Sequence, residues 1–246
     1  FYALAGGRSH EPTRSSDQTA PVISTIPQAQ AAPSGSAAVS GKVLLEGNVP
    51  EQAKIKMGAD PVCAQQHTEP ILKQEIVSRD GNLRYVFVYV KEGLEGSFPV
   101  PEEPVVLDQV GCIYEPHLFG IQAGQKLEIR NSDEVLHNVN CKPKANKRFN
   151  IAQPVKGMKT TKTFEKPEIG IPFKCNVHPW MVAYGAVFSH PFFAVTDEGG
   201  AFSLAGLPAG TYTIEAWHEK LGSQTQAVTV ADGETKELTF AFSVNK

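Results

Sequence analysis

From Val39 onward, the apolar and polar positions of this chain follow the periods of β-strands. Gly124-Gln125-Lys126-Leu127-Glu128-Ile129-Arg130-Asn131 alternates polar and apolar side chains, as a strand with one buried face does. Residues 41–47 and 83–90 are rich in β-branched, aliphatic and aromatic residues and close at Gly, Pro or charged turns, so both are expected as strands. Residues 160–164 and 171–175 read as two more, separated by a Pro-Glu-Ile-Gly turn, and 181–188 as another. No long amphipathic helix is visible, and residues 51–70 are the place for a short one.

A second unit starts near Pro191. Residues 192–196, 201–204, 211–217, 224–230 and 235–242 are five strand candidates, spaced by turns such as Asp197-Glu198-Gly199-Gly200 and Ala231-Asp232-Gly233. Short strands at regular spacing indicate an antiparallel sandwich. The run Phe202-Ser203-Leu204-Ala205-Gly206-Leu207-Pro208-Ala209-Gly210-Thr211-Tyr212 resembles the signature of carboxypeptidase-regulatory-like (transthyretin-like) domains. That resemblance implies a fold and a spacer or docking module; function has to be argued from a site. The unit is small, and residues 41–47 are a candidate to lend it a strand. The expected organisation is therefore all-β, with a tether or truncated signal/anchor region at 1–38, a first sandwich at 39–190 and a small antiparallel sandwich at 191–246.

Composition narrows the setting. The chain has 246 residues, 41% of them hydrophobic, enough for two modest β-domains with cores. A net charge of −3 gives no basic surface for a nucleic-acid partner. No apolar run approaches the roughly 18 residues needed to span a bilayer. Residues 1–38 are rich in Ser, Pro, Ala, Gln and Thr, the composition of a tether. Ala3-Leu4-Ala5 resembles a signal-peptide cleavage site, so the first residues read either as the end of an export signal or an uncleaved anchor, with an extracytoplasmic or periplasmic location expected, or as an arbitrary polypeptide start.

Candidate chemistry gathers in Cys175-Asn176-Val177-His178-Pro179-Trp180-Met181. A thiolate, an imidazole and a thioether fall within seven residues. Soft sulfur donors favour copper, and two histidines with one cysteine and a weak axial methionine form the blue-copper set. The second imidazole has to come from a distant strand. His137 supplies it, just after the alternating strand and a polar turn. Zinc uses cysteine and histidine but has little use for methionine. The expected cofactor is one type 1 copper ion, held by His137, Cys175, His178 and Met181.

The combination resembles the cupredoxin family. Ala123-Gly124-Gln125, then Asn131-Ser132-Asp133, then His137-Asn138-Val139 is similar to the strand and turn before the first copper histidine there. The C-x-x-H-x-x-M loop with proline after its histidine is similar to that of the amicyanin branch. The resemblance covers residues 123–188 and implies a Greek-key β-sandwich. It also implies that the Asn138 N–H bonds the Cys175 sulfur while its side chain ties the ligand loops together. By the same resemblance, the edge of His178 lies in an apolar surface patch, with Pro179 and Trp180 as candidate docking residues for a redox protein.

Four cysteines, at 63, 112, 141 and 175, form no C-x-x-C pair, which disfavours a zinc ribbon or a c-type haem. A Cys63–Cys112 disulfide is one reading, and a second metal site from Cys63, His67, Cys112 and His117 is another. Cys141 shares a strand face with His137 and is expected inside the sandwich. Lys142, Lys144, Lys147 and Arg148 form a basic run, read either as a solvated loop or as a steering patch for an acidic partner. The leading function is electron transfer, alone or within a membrane-attached complex bound through residues 1–38. The alternative is a structural subunit whose fold mainly docks. Copper storage fits poorly with a closed ligand set, and no open coordination position marks an enzyme.

Overall fold

The computed structural model describes residues 35–244, and the expected leader and most of the 1–38 tether lie outside them. Eighteen strands and one short helix are formed among the described residues, arranged in four sheets.

Two of these sheets face each other across residues 105–188. One runs Phe149–Gln153, His137–Cys141, Glu168–Lys174, Val182–Phe188, Leu118–Gln122. Its partner runs Lys159–Thr163, Lys126–Asn131, Val105–Val110, Ile113–Glu115. The alternation at 124–131 has its expected result: Leu127 and Ile129 point into a core with Leu107, Phe119 and Phe173, while Lys126 faces water. The expected Pro-Glu-Ile-Gly turn is instead the start of the strand Glu168–Lys174. Its register slips between Glu168 and Ile171, where Gly170 takes φ +73°, a bulge that only glycine accommodates without strain.

The other two sheets mix the two ends of the chain. Ala37–Glu46 lies parallel to Thr235–Ser243 on one edge and antiparallel to Ala201–Leu207 on the other. Phe87–Glu92 sits between Phe193–Val195 and Gly210–His218, with Gly222–Val230 beyond. Val39, Val43, Val88 and Val90 share one core with Phe202, Ile214, Phe240 and Phe242. The expected boundary at 39–190 is therefore corrected: strands before residue 95 complete the C-terminal sandwich, whose five local strands alone would bury too little apolar surface. The expected continuous strand at 83–90 is also broken. Tyr85 takes φ +61°, and the chain crosses there from Asn82–Leu83 in one sheet to Phe87–Glu92 in the other.

A seam of aromatic side chains joins the two sandwiches. Phe87 and Tyr89 pack on Leu118 and Phe188, and Phe188 stacks on Phe193 with centroids 4.2 Å apart. Between the strands of the second sandwich, residues 47–77 leave the sheets and lie against the first. This segment carries the helix Pro61–Gln65, within the expected window. Asp60 caps it, accepting from the N–H groups of Val62 and Cys63, and Pro61 opens it. Five residues cannot hold a helix on their own. Here Cys63 is fastened to Cys112 by a disulfide, and Met57, Ile55 and Ile71 pack around it.

Candidate metal centre

His137 opens the strand His137–Cys141 and Cys175 follows the last residue of its neighbour Glu168–Lys174, so both side chains enter the same end of the first sandwich. The tight loop from Cys175 returns at Met181. There the Cys175 N–H donates to the Met181 carbonyl at 3.2 Å, and the Met181 N–H donates to the His178 carbonyl at 2.9 Å. His137 is fully buried, His178 is 2% exposed, and Met181 lies in the same core cluster as Cys175. A nitrogen of each histidine and the Cys175 sulfur all lie within 4.8 Å of one another.

The outward nitrogens explain how the rings are aimed. His137 Nε2 lies 2.8 Å from Asp133 Oδ2, and His178 Nε2 lies 3.0 Å from Asp60 Oδ2. A carboxylate only accepts, so each Nε2 carries the proton and donates it. That turns both Nδ1 lone pairs inward, 2.9 Å apart. Two lone pairs and a sulfur facing one dry space repel unless a proton or a metal cation lies among them. Carboxylate–histidine pairs of this kind fix the tautomer and orientation of metal-binding imidazoles.

Both carboxylates are held in turn. Asp133 accepts from the N–H groups of Gly111 and Cys112, each at 2.8 Å. Those two residues take φ +63° and +55°, so their successive N–H groups point the same way and form an anion nest. Burial pushes the Asp133 carboxyl up, but the bonds from His137, Cys112 and Gly111 outweigh it and hold the group below the usual range. Asp60 is held low chiefly by its bond to His178. Burial likewise raises the Cys175 thiol. Hydrogen bonds with His137 and with the backbone of Asn138, His178 and Val177 more than offset this, favouring the thiolate. For His137, burial disfavours the charged ring, and Asp133 and Cys175 override it upward.

Asn138 stands at the crossing of the loops. Its side-chain oxygen accepts from the Asn176 N–H at 2.7 Å and lies 3.4 Å from the Cys175 sulfur, while its amide donates to Asn150 at 2.6 Å. Tyr114 donates to the Asn138 carbonyl at 2.6 Å. Cys141 is buried and free, its thiol raised well above the ordinary value by burial.

Cys63 and Cys112 are joined, with Cα atoms 5.5 Å apart. This overturns the alternative metal site at Cys63, His67, Cys112 and His117. His67 Nε2 instead pairs with the Gly111 carbonyl at 2.7 Å, and His117 with Glu219 at 2.5 Å. The expected apolar patch over the edge of His178 is corrected as well. Asp60 and the Cys63 sulfur, 3.7 Å away, cover that edge. Trp180 lies beside the ring, its indole N–H donating to the Cys112 carbonyl at 2.9 Å. Pro179 is exposed beyond it. Asp60 and Asp133 are the functional residues that sequence reasoning missed. Asp60-Pro61 is an N-cap signature, but nothing local says that its carboxylate also meets a histidine 118 positions away.

Residues 189–243 match the family model of the carboxypeptidase regulatory-like domain. No curated protein matches the chain. Among solved structures, similarity is found to a single-site mutant of amicyanin in its Cu(I) form, at 20% identity over 36% of this chain and 86% of that one, with a TM-score of 0.32. A purple cupredoxin from Nitrosopumilus maritimus is 22% identical over 35% of this chain and all of that one, TM-score 0.30. A Cu-containing nitrite reductase from Thermus scotoductus SA-01 is 22% identical over 39% of this chain, TM-score 0.31, and the chain spans 24% of that enzyme's length.

Proposed function

We propose that the chain is a one-electron carrier in which His137 Nδ1, His178 Nδ1 and the Cys175 sulfur would hold a single type 1 copper ion, with Met181 as a weak thioether donor. One observation carries the reading: two inward Nδ1 atoms 2.9 Å apart, each fixed by a carboxylate behind it, share a buried space with a thiol biased toward thiolate. Soft and borderline donors in this ratio suit copper better than a hard cation. When bound, the ion would supply a reversible Cu(I)/Cu(II) couple. The protein's part is to keep the donors in one arrangement through both states and to exclude water, and the burial of the four donor side chains, the Asn138 ties and the two aspartates do this. With four side chains committed, no position is left for a substrate, which favours transfer over catalysis. The Cys63–Cys112 disulfide supports an extracytoplasmic compartment.

Copper loading of the purified chain tests this. One equivalent should bind and give an intense visible thiolate-to-metal band, and Cys175→Ser should abolish it. A band that survives Cys175→Ser, or that fails to form in the wild-type protein, would overturn the assignment.

A further inference from the structure

A redox partner has to approach the buried donors from some side, and the His178 edge is closed by Asp60, the disulfide and Trp180. The Cys175 side is open. A cavity of about 350 Å³ lies there, lined by Cys175 itself together with Asn140, Lys142, Lys174, Asn176 and Pro179. Sheet geometry puts them together. Lys174 pairs in register with Asn140, so the outward side chains of the two strands form one surface while Cys141 and Phe173 point into the core beneath. Cys175 is 4% exposed and borders the cavity directly.

Cations predominate on that surface, the Glu168 carboxylate that accepts from the N–H groups of Lys144 and Ala145 being the acidic group set into it. Lys142 and Lys174 line the cavity, and Lys144, Lys147 and Arg148 follow on the exposed loop between His137–Cys141 and Phe149–Gln153. None of these five cations takes part in an ion pair among the described residues; other lysines such as Lys42, Lys54 and Lys126 are unpaired too, and what sets the five apart is that they gather on one face beside Cys175. The chain as a whole carries −3, so the positive face stands against a negative background and gives the molecule a direction in an electric field.

We propose that this face docks an acidic surface of a redox protein, and that one electron passes between the partner's redox group and the metal through the Cys175 sulfur. The proposal rests on the copper reading above. Reduction of one centre is oxidation of the other, and no further reactant is needed. Complementary charge of this kind acts mainly on the rate and orientation of encounter.

The test has two arms. In the first, the isotopically labelled full chain is kept reduced, so that copper-loaded and copper-free forms are both diamagnetic, and is titrated with poly-L-glutamate. Amide NMR shifts should concentrate at Asn140, Lys142, Lys174 and Asn176 and fade as salt approaches about 1 M, where the Debye length is about 3 Å. The double variant Lys142→Glu, Lys174→Glu should lose them. Shifts centred on Asp60 and Trp180, shifts spread evenly over all surface lysines, or binding to phosphatidylglycerol vesicles with none to the peptide would each overturn the proposal. In the second arm, reduced protein passes one electron to hexacyanoferrate(III), giving hexacyanoferrate(II). The double variant should react about tenfold more slowly at low salt. An unchanged rate would overturn the Cys175 route. A protein that binds no copper fails the second arm only, so the docking face and the copper reading fall separately.

Discussion

The C-terminal sandwich buries His190 and His218 and the first sandwich His117, His137 and His178, and the C-terminal pair is treated in the opposite way to His137 and His178. In the C-terminal sandwich His190 Nε2 donates to the Val90 carbonyl and its Nδ1 accepts from the Phe192 N–H. His218 Nδ1 accepts from the N–H groups of Lys220 and Leu221. These rings are neutral pieces of structure, and burial holds both below their ordinary value, His218 at about 4. In the first sandwich His137 and His178 have carboxylates behind them and unsatisfied lone pairs facing each other in front. The difference separates a histidine whose Nδ1 takes up neighbouring backbone N–H groups from one whose Nδ1 faces a second ring. Burial alone does not distinguish them. What the second nitrogen meets does: His117 also has a carboxylate, Glu219, behind it, but its Nδ1 lies 3.2 Å from the Val182 carbonyl, whereas the Nδ1 atoms of His137 and His178 face each other.

The largest way to break this contrast is to remove the disulfide. Cys63 and Cys112 flank both carboxylates: Asp60 caps the helix that Cys63 belongs to, and the Cys112 N–H holds Asp133. The closed loop spans 49 positions, so replacing both cysteines by alanine should cost about 4 kcal/mol of folding stability. It should also release the segment over His178. Denaturation midpoints read the first effect. Faster amide exchange at residues 60–66, with unchanged exchange at 210–218, reads the second.

Acid should act on the other side of the comparison. His218 takes up its proton in the unfolded chain near pH 6.5 but in the folded chain only near pH 4, because burial, then repulsion from His117 and Lys220, opposes the charge. As pH falls between those values the unfolded state binds more protons, so stability drops, by about 3 kcal/mol once pH is below 4. His190 adds in the same direction. Urea unfolding at pH 7 and pH 4 checks the sign, and His218→Asn should flatten the slope. A slope that His218→Asn leaves unchanged would show that His218 does not carry it.

Legibility in the sequence follows the range of each interaction. The ligand loop is readable because Cys175, His178 and Met181 lie within seven residues, and His137 because it follows a strand whose alternation is plain. Strand patterns at 201–242 are readable for the same reason. Pairing is not: nothing in residues 37–46 says that they lie between 201–207 and 235–243. The strands Val105–Val110 and Phe149–Gln153 escape because one follows a Glu/Pro-rich stretch and the other alternates around Asn and Gln. Asp60 and Asp133 escape because a carboxylate at a helix cap or in a polar turn has a sufficient local explanation already.

The two aspartates sharpen the contrast most finely. Replacing either by asparagine keeps the shape and removes the charge, and asparagine can present an N–H where the ring needs an acceptor. Loss of a partner behind a metal-binding histidine costs about 10–100-fold in affinity. Asp133→Asn should fall toward the larger figure, since Asp133 is buried and also anchors the Gly111-Cys112 turn. Asp60→Asn should fall toward the smaller, because Asp60 stands at the exposed rim of its helix, where water can replace part of the bond. Competition with a copper(I) chelator gives both numbers on one scale. The same pair of variants also separates orientation from charge. Asp60→Glu should restore most of the Asp60→Asn loss if the carboxylate itself is what the His178 ring needs. A smaller loss for Asp60→Asn than for Asp60→Glu would mean that the helix cap, which asparagine still supplies, and through it the lid over His178, is what the side chain contributes.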